Sequence, residues 1–178
     1  MEKNYRVTTF VMDSGERYCM VVDRASGLPM YYPTLFLTTQ IRNKGNAFST
    51  TLAAANNLVL LLRFLESRDI NLEERLLTKD FFKPHEMDDL RDFAQRKQGR
   101  MPSKALSNPW LDDELANIVD NGTQHSRLTT FANYLRWYAM HLLKMPELDV
   151  GEQIKTMATK IKVRRPSKKS RNLNHIHN

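Results

Sequence analysis

The sequence predicts a mainly α protein: a bundle of four to five helices with a small N-terminal β-hairpin or three-stranded antiparallel unit. Two long stretches predict the helices. In Ser49 to Leu65, the residues Leu52, Ala55, Leu58, Val59, Leu62 and Leu65 recur every three or four positions, the spacing of one helical face. In the stretch from Ser126, Leu128, Phe131, Ala132, Leu135, Tyr138, Ala139 and Leu142 do the same. The β unit follows from YRVTTFVM and RYCMVVD on either side of Asp13-Ser14-Gly15-Glu16, two β-branched and aromatic runs around a glycine turn.

Taken in order, residues 5–12 and 17–23 form the hairpin. MYYPTLFLTTQIR, after the turn at Gly27 and Pro29, offers a third extended segment. Three short strands bury little, so the sheet is expected to dock on the helices. The polar turn Arg42 to Asn46 leads into the Ser49 helix, with Ser49 as its N-cap. That helix also carries Leu60, Leu61 and Phe64 off its main face, so its second half is apolar nearly all round and must be enclosed. Arg68 to Leu72 reads as a tight connection that returns Ile70 and Leu72 to the core.

Thr78 to Gln98 is a second helical region, with Pro84 suited to a first turn and Gly99 as its end. RMPSKALSNPW is loop by its Pro, Ser and Asn content. LDDELANIVD, 111–120, reads as a short acidic helix stopped by Asn121-Gly122. The Ser126 helix ends before Pro146, and GEQIKTMATKIKV runs into the basic tail RRPSKKSRNLNHIHN. The expected division is a β-rich segment over 1–40, a helical domain over 41–150, and a basic helix and linker over 151–178.

Composition narrows the function. Lys and Arg number 27 against 20 Asp and Glu, a net of +7. From Lys155 onward there are eight basic residues and no acid; the 19 basic residues before it face 20 acids, a net of −1. The basic excess thus belongs to the C-terminal segment, and a high pI alone says little about the folded part. Cys19 is the only cysteine, which excludes an internal disulfide and a cysteine metal cluster. No apolar run approaches the roughly 20 residues of a membrane-spanning helix, and the N-terminus lacks a secretory pattern. No membrane association is expected, and the expected setting is cytoplasmic.

Enzyme constellations are missing. None of the six glycines stands in a phosphate-cradling motif. His175 and His177 form an H-x-H pair without a third ligand nearby, against the plainer reading of tail histidines. His125 and Ser126, adjacent on a helix start, are not a catalytic pair. The carboxylates Asp88, Asp89, Asp92 and Asp112 to Glu114 read as solvated helix faces. No cofactor, metal or small-molecule substrate is expected.

What remains is polar and basic. Opposite its apolar face the Ser126 helix carries Arg127, Thr130, Asn133, Arg136, Trp137 and His141. The approach to the central helix carries Arg42, Lys44, Asn46, Ser49, Thr50 and Thr51. Arg and Lys neutralise phosphates, while Asn, Thr and Ser donate to phosphate oxygens or reach base edges. A helix N-terminus adds free N–H groups. An ordinary solvated face and an ordinary N-cap explain the same residues equally well.

The layout resembles the core-binding domain of tyrosine-type site-specific recombinases, the phage-integrase family. The resemblance lies in YYPTLFLTTQIRNKGNAFSTTLAAANNLVLLLRFLESRDINLEERL, with Ser49-Thr50-Thr51 entering a Leu58–Leu65 helix and an Asp69-Ile70 turn, and in RLTTFANYLRWYAMHLL before a basic linker. It covers roughly residues 30 to 165; the first 30 lie outside it. It implies a SAM-like domain of four or five helices gripping one face of double-stranded DNA, while a separate C-terminal domain cleaves. It further implies a bacterial or phage-encoded protein of a mobile element, with self-association on DNA left open.

The family's catalytic Arg, Lys, His or Trp and nucleophilic Tyr belong to that second domain. There is no H-x-x-R box here, since His125-Ser126-Arg127 is one residue short, and no tyrosine can be assigned as nucleophile. The expected DNA contacts are the residues above, joined by Lys160, Lys162, Arg164 and Arg165 of the basic segment. The alternative is a helical protein-interaction module with a solubilising basic tail. A small transcriptional regulator ranks lower, because no compact helix-turn-helix pair is present.

Overall fold

A computed structural model describes residues 4–98 and 117–168. The expected loop after Gly99, most of the 111–120 helix and the histidines of the tail lie outside these residues.

Strands β1 (Tyr5–Val11) and β2 (Arg17–Asp23) pair antiparallel, with Thr8 opposite Met20. Met12 N–H donates to the Glu16 carbonyl at 2.8 Å, and Gly15 takes φ +82°, a left-handed turn position that costs glycine nothing. Cys19 and Val21, two apart on β2, are buried, so one face of the hairpin rests on the helices.

The third strand is not formed. Residues 31–44 coil instead: helix α1 (Tyr31–Phe36), a π-helical turn (Leu37–Ile41) and a 3₁₀ turn (Arg42–Lys44). Only a single bridge, Val22 to Pro29, remains of the extended pairing. Pro33 is the third helical residue, where its missing N–H would have had no intrahelical partner. The aromatic residues that looked like strand formers are packing residues: Phe36 meets Tyr134 edge-on at 5.4 Å, and Tyr32 lies 4.6 Å from Tyr138.

Helix α2 (Phe48–Ser67) is the central element, one residue longer at its start and two at its end than its apolar pattern. Its N-cap is Ala47, with no side-chain acceptor. Ser49 is therefore not the cap, and its side chain is exposed. Buried positions run from Thr51 through Ala54, Ala55 and Leu58–Leu61 to Phe64 and Leu65. This wide arc reflects cover from the hairpin on one side and from later helices on another. The helix is long and apolar enough to cross a membrane by length and composition, and half of that window is buried inside the fold.

Asp69 at φ +53° reverses the chain, and Ile70 N–H bonds back to the Leu65 carbonyl at 2.9 Å. Ile70 packs against the core and Leu72 is buried, as expected of a tight connection. Asn71 then caps a short helix α3 (Leu72–Leu77), its side chain accepting from Glu74 N–H at 3.2 Å. Helix α4 (Pro84–Gln95) begins at Pro84 rather than Thr78. Lys83 N–H donates to the Glu86 carboxylate at 2.8 Å, one arm of a capping box.

Helix α5 (Asn121–Leu143) starts five residues before Ser126. Asn121-Gly122 is its first turn rather than a stop, because Asp120 caps it by accepting from Thr123 N–H at 2.7 Å. After a left-handed pair, Lys144 and Met145, helix α6 (Leu148–Val163) folds back along α5. It buries Val150, Ile154, Met157, Ala158 and Ile161. Cys19 and Val21 of the hairpin, the α2 and α5 faces, and Ile154 and Ile161 beyond residue 150 belong to one buried cluster. Each large apolar side chain in it contributes roughly 1.5–3 kcal/mol by leaving water.

Candidate nucleic-acid interface

Because α5 buries one stripe, its opposite stripe recurs at the same spacing: Ser126, Thr130, Asn133, Arg136 and Trp137, then Met140. This stripe floors a groove. Residues 40–46 and the first turns of α2 border it on one side, and Arg165 and Lys168, just past α6, on the other. The groove consists of two adjoining cavities of about 720 and 550 Å³ that share Gln40, Ile41, Thr130 and Asn133. It follows α5 from Gly122 to Met140, which at 1.5 Å per residue is roughly 27 Å.

The groove is open, mixed in polarity and one-signed in charge. Lys44 and Arg136 line one cavity, Arg165 and Lys168 the other, and no carboxylate among the described residues lines either. The cause is visible in the chain. No acid lies between Asp23 and Glu66, between Asp120 and Glu147, or after Glu152, and these three stretches build the groove. The acids between Glu66 and Asp92 face elsewhere and supply ion pairs: Arg68 to Asp89 at 2.7 Å, Arg75 to Glu86, and Arg91 to both Asp88 and Asp92.

Arg165 is held in place. Its Nη1 donates to Thr129 Oγ1 at 3.0 Å and its Nε to the Lys162 carbonyl at 2.9 Å. Asn57 donates to Ser126 Oγ and Thr130 Oγ1, at 3.2 and 3.0 Å, fixing α2 against the floor. The crowding of cations is felt locally. Burial, then Arg165 and Arg136, pulls the Lys162 ammonium below its usual range. Burial, then Arg165 and Lys168, lowers His125. The first turns of α2 and α5 line the groove through Ser49, Thr50 and Gly122, near the positive ends of the two helix dipoles; α2 has no side-chain cap, whereas the α5 start carries Asp120.

The structure thus gathers Lys44, Ser49, Thr50, Thr130, Asn133, Arg136 and Arg165 of the expected contacts. Lys162 is half-buried close behind them. The remaining ones are occupied elsewhere. Arg42 makes a two-pronged pair with Glu16, at 2.9 and 2.7 Å, over the Tyr18 ring, and so fastens the hairpin. Thr51 is buried at 6% exposure. Arg127 donates from Nη1 to the carbonyls of Ala94 and Arg96, both at 2.9 Å. Arg164 pairs with Asp88 at 2.8 Å and bonds the Lys160 carbonyl, clasping α6 to α4. Lys160 borders a different hollow, beside Phe81 and Phe82.

Gln40, Ile41, His125, Ser126, Thr129 and Lys168 line the groove without having been singled out as contacts. The signal that finds them is the absence of acids over three long stretches, which marks which segments can share one electrostatic face. Among the described residues no group of three His, Cys, Asp or Glu is placed to hold a metal.

In comparison with known proteins, no family model, no curated sequence and no solved structure matches this chain.

Proposed function

We propose that this protein binds double-stranded DNA through the α5 groove, and that it is the DNA-gripping, core-binding portion of a tyrosine-type site-specific recombinase. One observation carries the DNA reading: a groove roughly 27 Å long that four cations border and no described carboxylate enters. That length matches about eight base-pair steps at 3.4 Å. Lys44, Arg136, Arg165 and Lys168 neutralise phosphates and release counterions. Ser49, Thr50, Thr130 and Asn133 supply uncharged donors for phosphate oxygens and base edges. The recombinase assignment rests on the resemblance of the α2 and α5 stretches and on the basic segment that leaves the fold beside the groove. Strand cleavage would belong to another domain.

The test is fluorescence anisotropy on a labelled duplex across a salt series, comparing wild type, Arg136→Glu with Arg165→Glu, and Lys155→Glu on the exposed face of α6. Each lost phosphate contact lowers the log–log salt slope by about 0.9, so the double variant is expected to lose nearly two units and Lys155→Glu less than one. Equal slopes in all three would remove the groove from the reading. The alternative, a protein-interaction module, draws on Met145 and Leu148, 97% and 90% exposed at the α5–α6 turn. In that case a chain ending at Lys168 would retain no DNA affinity.

A further inference from the structure

His125 stands one turn into α5, on the groove wall formed by the α5 start, and no carboxylate faces it there. From its own helix it meets Ser126 and Thr129, both neutral. From α2 it faces Ser49, Thr50, Ala53 and Ala54 across the cavity, also neutral. From the segment after α6 it faces Arg165 and Lys168. The nearby acid, Asp120, already accepts from the Thr123 N–H and hydroxyl, at 2.7 and 3.2 Å. Arg127 is turned to the α4 carbonyls. Arg165 is anchored one turn further along the same helix: Thr129 Oγ1 donates to the His125 backbone carbonyl at 2.8 Å and accepts from Arg165.

We propose that His125 is a phosphate-binding residue of this groove and that it takes up a proton when a nucleic-acid phosphate enters. This rests on the DNA-binding reading and adds to it a residue and a pH response. A neutral imidazole offers one donor; the imidazolium offers two and a charge. In the free protein burial and the two flanking cations disfavour that charge. A phosphate between His125, Arg165 and Lys168 screens the cations and adds an opposite charge, which favours the proton.

The sign follows from linkage. A group whose pKa is raised on binding makes binding tightest below its free-state value. Affinity then falls as pH rises through the bound-state value and levels off above it. An opposite charge in contact moves such a group by about one to three units, and each unit is a factor of about ten in affinity. Partial solvation keeps the expected gain near the lower end, about tenfold from the alkaline to the acidic side.

The experiment uses the full chain and a short fluorescent duplex at constant ionic strength, from about pH 5.5 to about pH 8.5, which brackets the ordinary histidine value. Wild type, His125→Gln and His85→Gln are compared, His85 lying on α4 away from the groove. Wild type and His85→Gln are expected to gain about tenfold toward acid, and His125→Gln to lose most of that gain. In parallel, the imidazole of His125 is followed by NMR in wild type with and without DNA, and its pKa is expected to rise in the complex. DNA binding with an unmoved His125 pKa, or with the same pH response in His125→Gln, overturns this inference and leaves the groove reading standing. Wild type that binds no duplex at any pH overturns the groove reading itself.

Discussion

Arg127→Ala separates two roles that one side chain could have. By its place on the polar side of α5, Arg127 reads as a phosphate contact; in the fold it reaches the end of α4 and donates to the carbonyls of Ala94 and Arg96, both at 2.9 Å. These are among the last carbonyls of a helix, which lack intrahelical partners and sit at the negative end of its dipole. Two hydrogen bonds from a charged donor are worth about 3–6 kcal/mol together. Burial works against this, since it lowers the Arg127 pKa and so disfavours the charged form. The net cost of truncation, including a stranded carbonyl beside the fully buried Ala94, is about 2–3 kcal/mol. Urea unfolding followed by circular dichroism is expected to show a lower midpoint with an unchanged slope. The salt slope of DNA binding is expected to match wild type. An Arg127→Ala variant that unfolds within about 0.5 kcal/mol of wild type and loses close to one unit of salt slope would refute the reasoning and return Arg127 to the interface.

Two further outcomes test the framework behind the groove. Phe131, buried at 0% exposure on the inner face of α5, is expected to cost about 3–5 kcal/mol when cut to alanine, read as a shift in the urea midpoint; a loss below about 1 kcal/mol would mean that α5 does not form the core. The Glu86 carboxyl is held below its usual value first by its bonds to Arg75, so its stabilisation is complete above the unfolded value near 4.5. It is lost as pH falls through the lower folded value. Glu86→Gln should therefore flatten the acid limb of a stability–pH profile, and a limb of unchanged steepness would exclude the Arg75 pair as a source of acid sensitivity.

The elements legible in the sequence were those whose information is local and repeated. The Ser49 and Ser126 helices carry five or more apolar residues at helical spacing, and the hairpin carries two β-branched runs around a glycine at positive φ. Helix α1 was illegible because YYPTLF is rich in strand formers, and its helical state comes from packing against Tyr134 and Tyr138, about a hundred residues away. Tertiary burial overrides propensity there. The α5 start hid behind Asn121-Gly122, although Asp120 three residues before Thr123 is itself a capping signal. For the site, residue type and helical face could be read, but not which cations have partners. Arg42 meets Glu16 at 26 residues' separation, Arg127 meets Ala94 at 33, and Arg164 meets Asp88 at 76. No pattern along the chain distinguishes these from Arg136.

This pairing also changes what the charge balance means. Before Lys155 the chain is nearly neutral, which by itself argues against a nucleic-acid surface on the folded part. Neutrality of the sum, however, is compatible with a strongly divided distribution. Nine acids fall between Glu66 and Asp92, and the fold pairs several of them with Arg68, Arg75, Arg91 and Arg164. The arginines consumed there no longer count toward an interface, and neither do their partners against one. Across the bundle, the three acid-free stretches converge on α5 and leave Lys44, Arg136, Arg165 and Lys168 without a carboxylate among the described residues. With a Debye length of about 8 Å at physiological salt, an anion in either half of the groove is governed by the cations that line that half, Lys44 and Arg136 in one and Arg165 and Lys168 in the other. On the proposed reading, the α5 face would attract a polyanion more than the ion-paired surface of α3 and α4, and so would orient its approach.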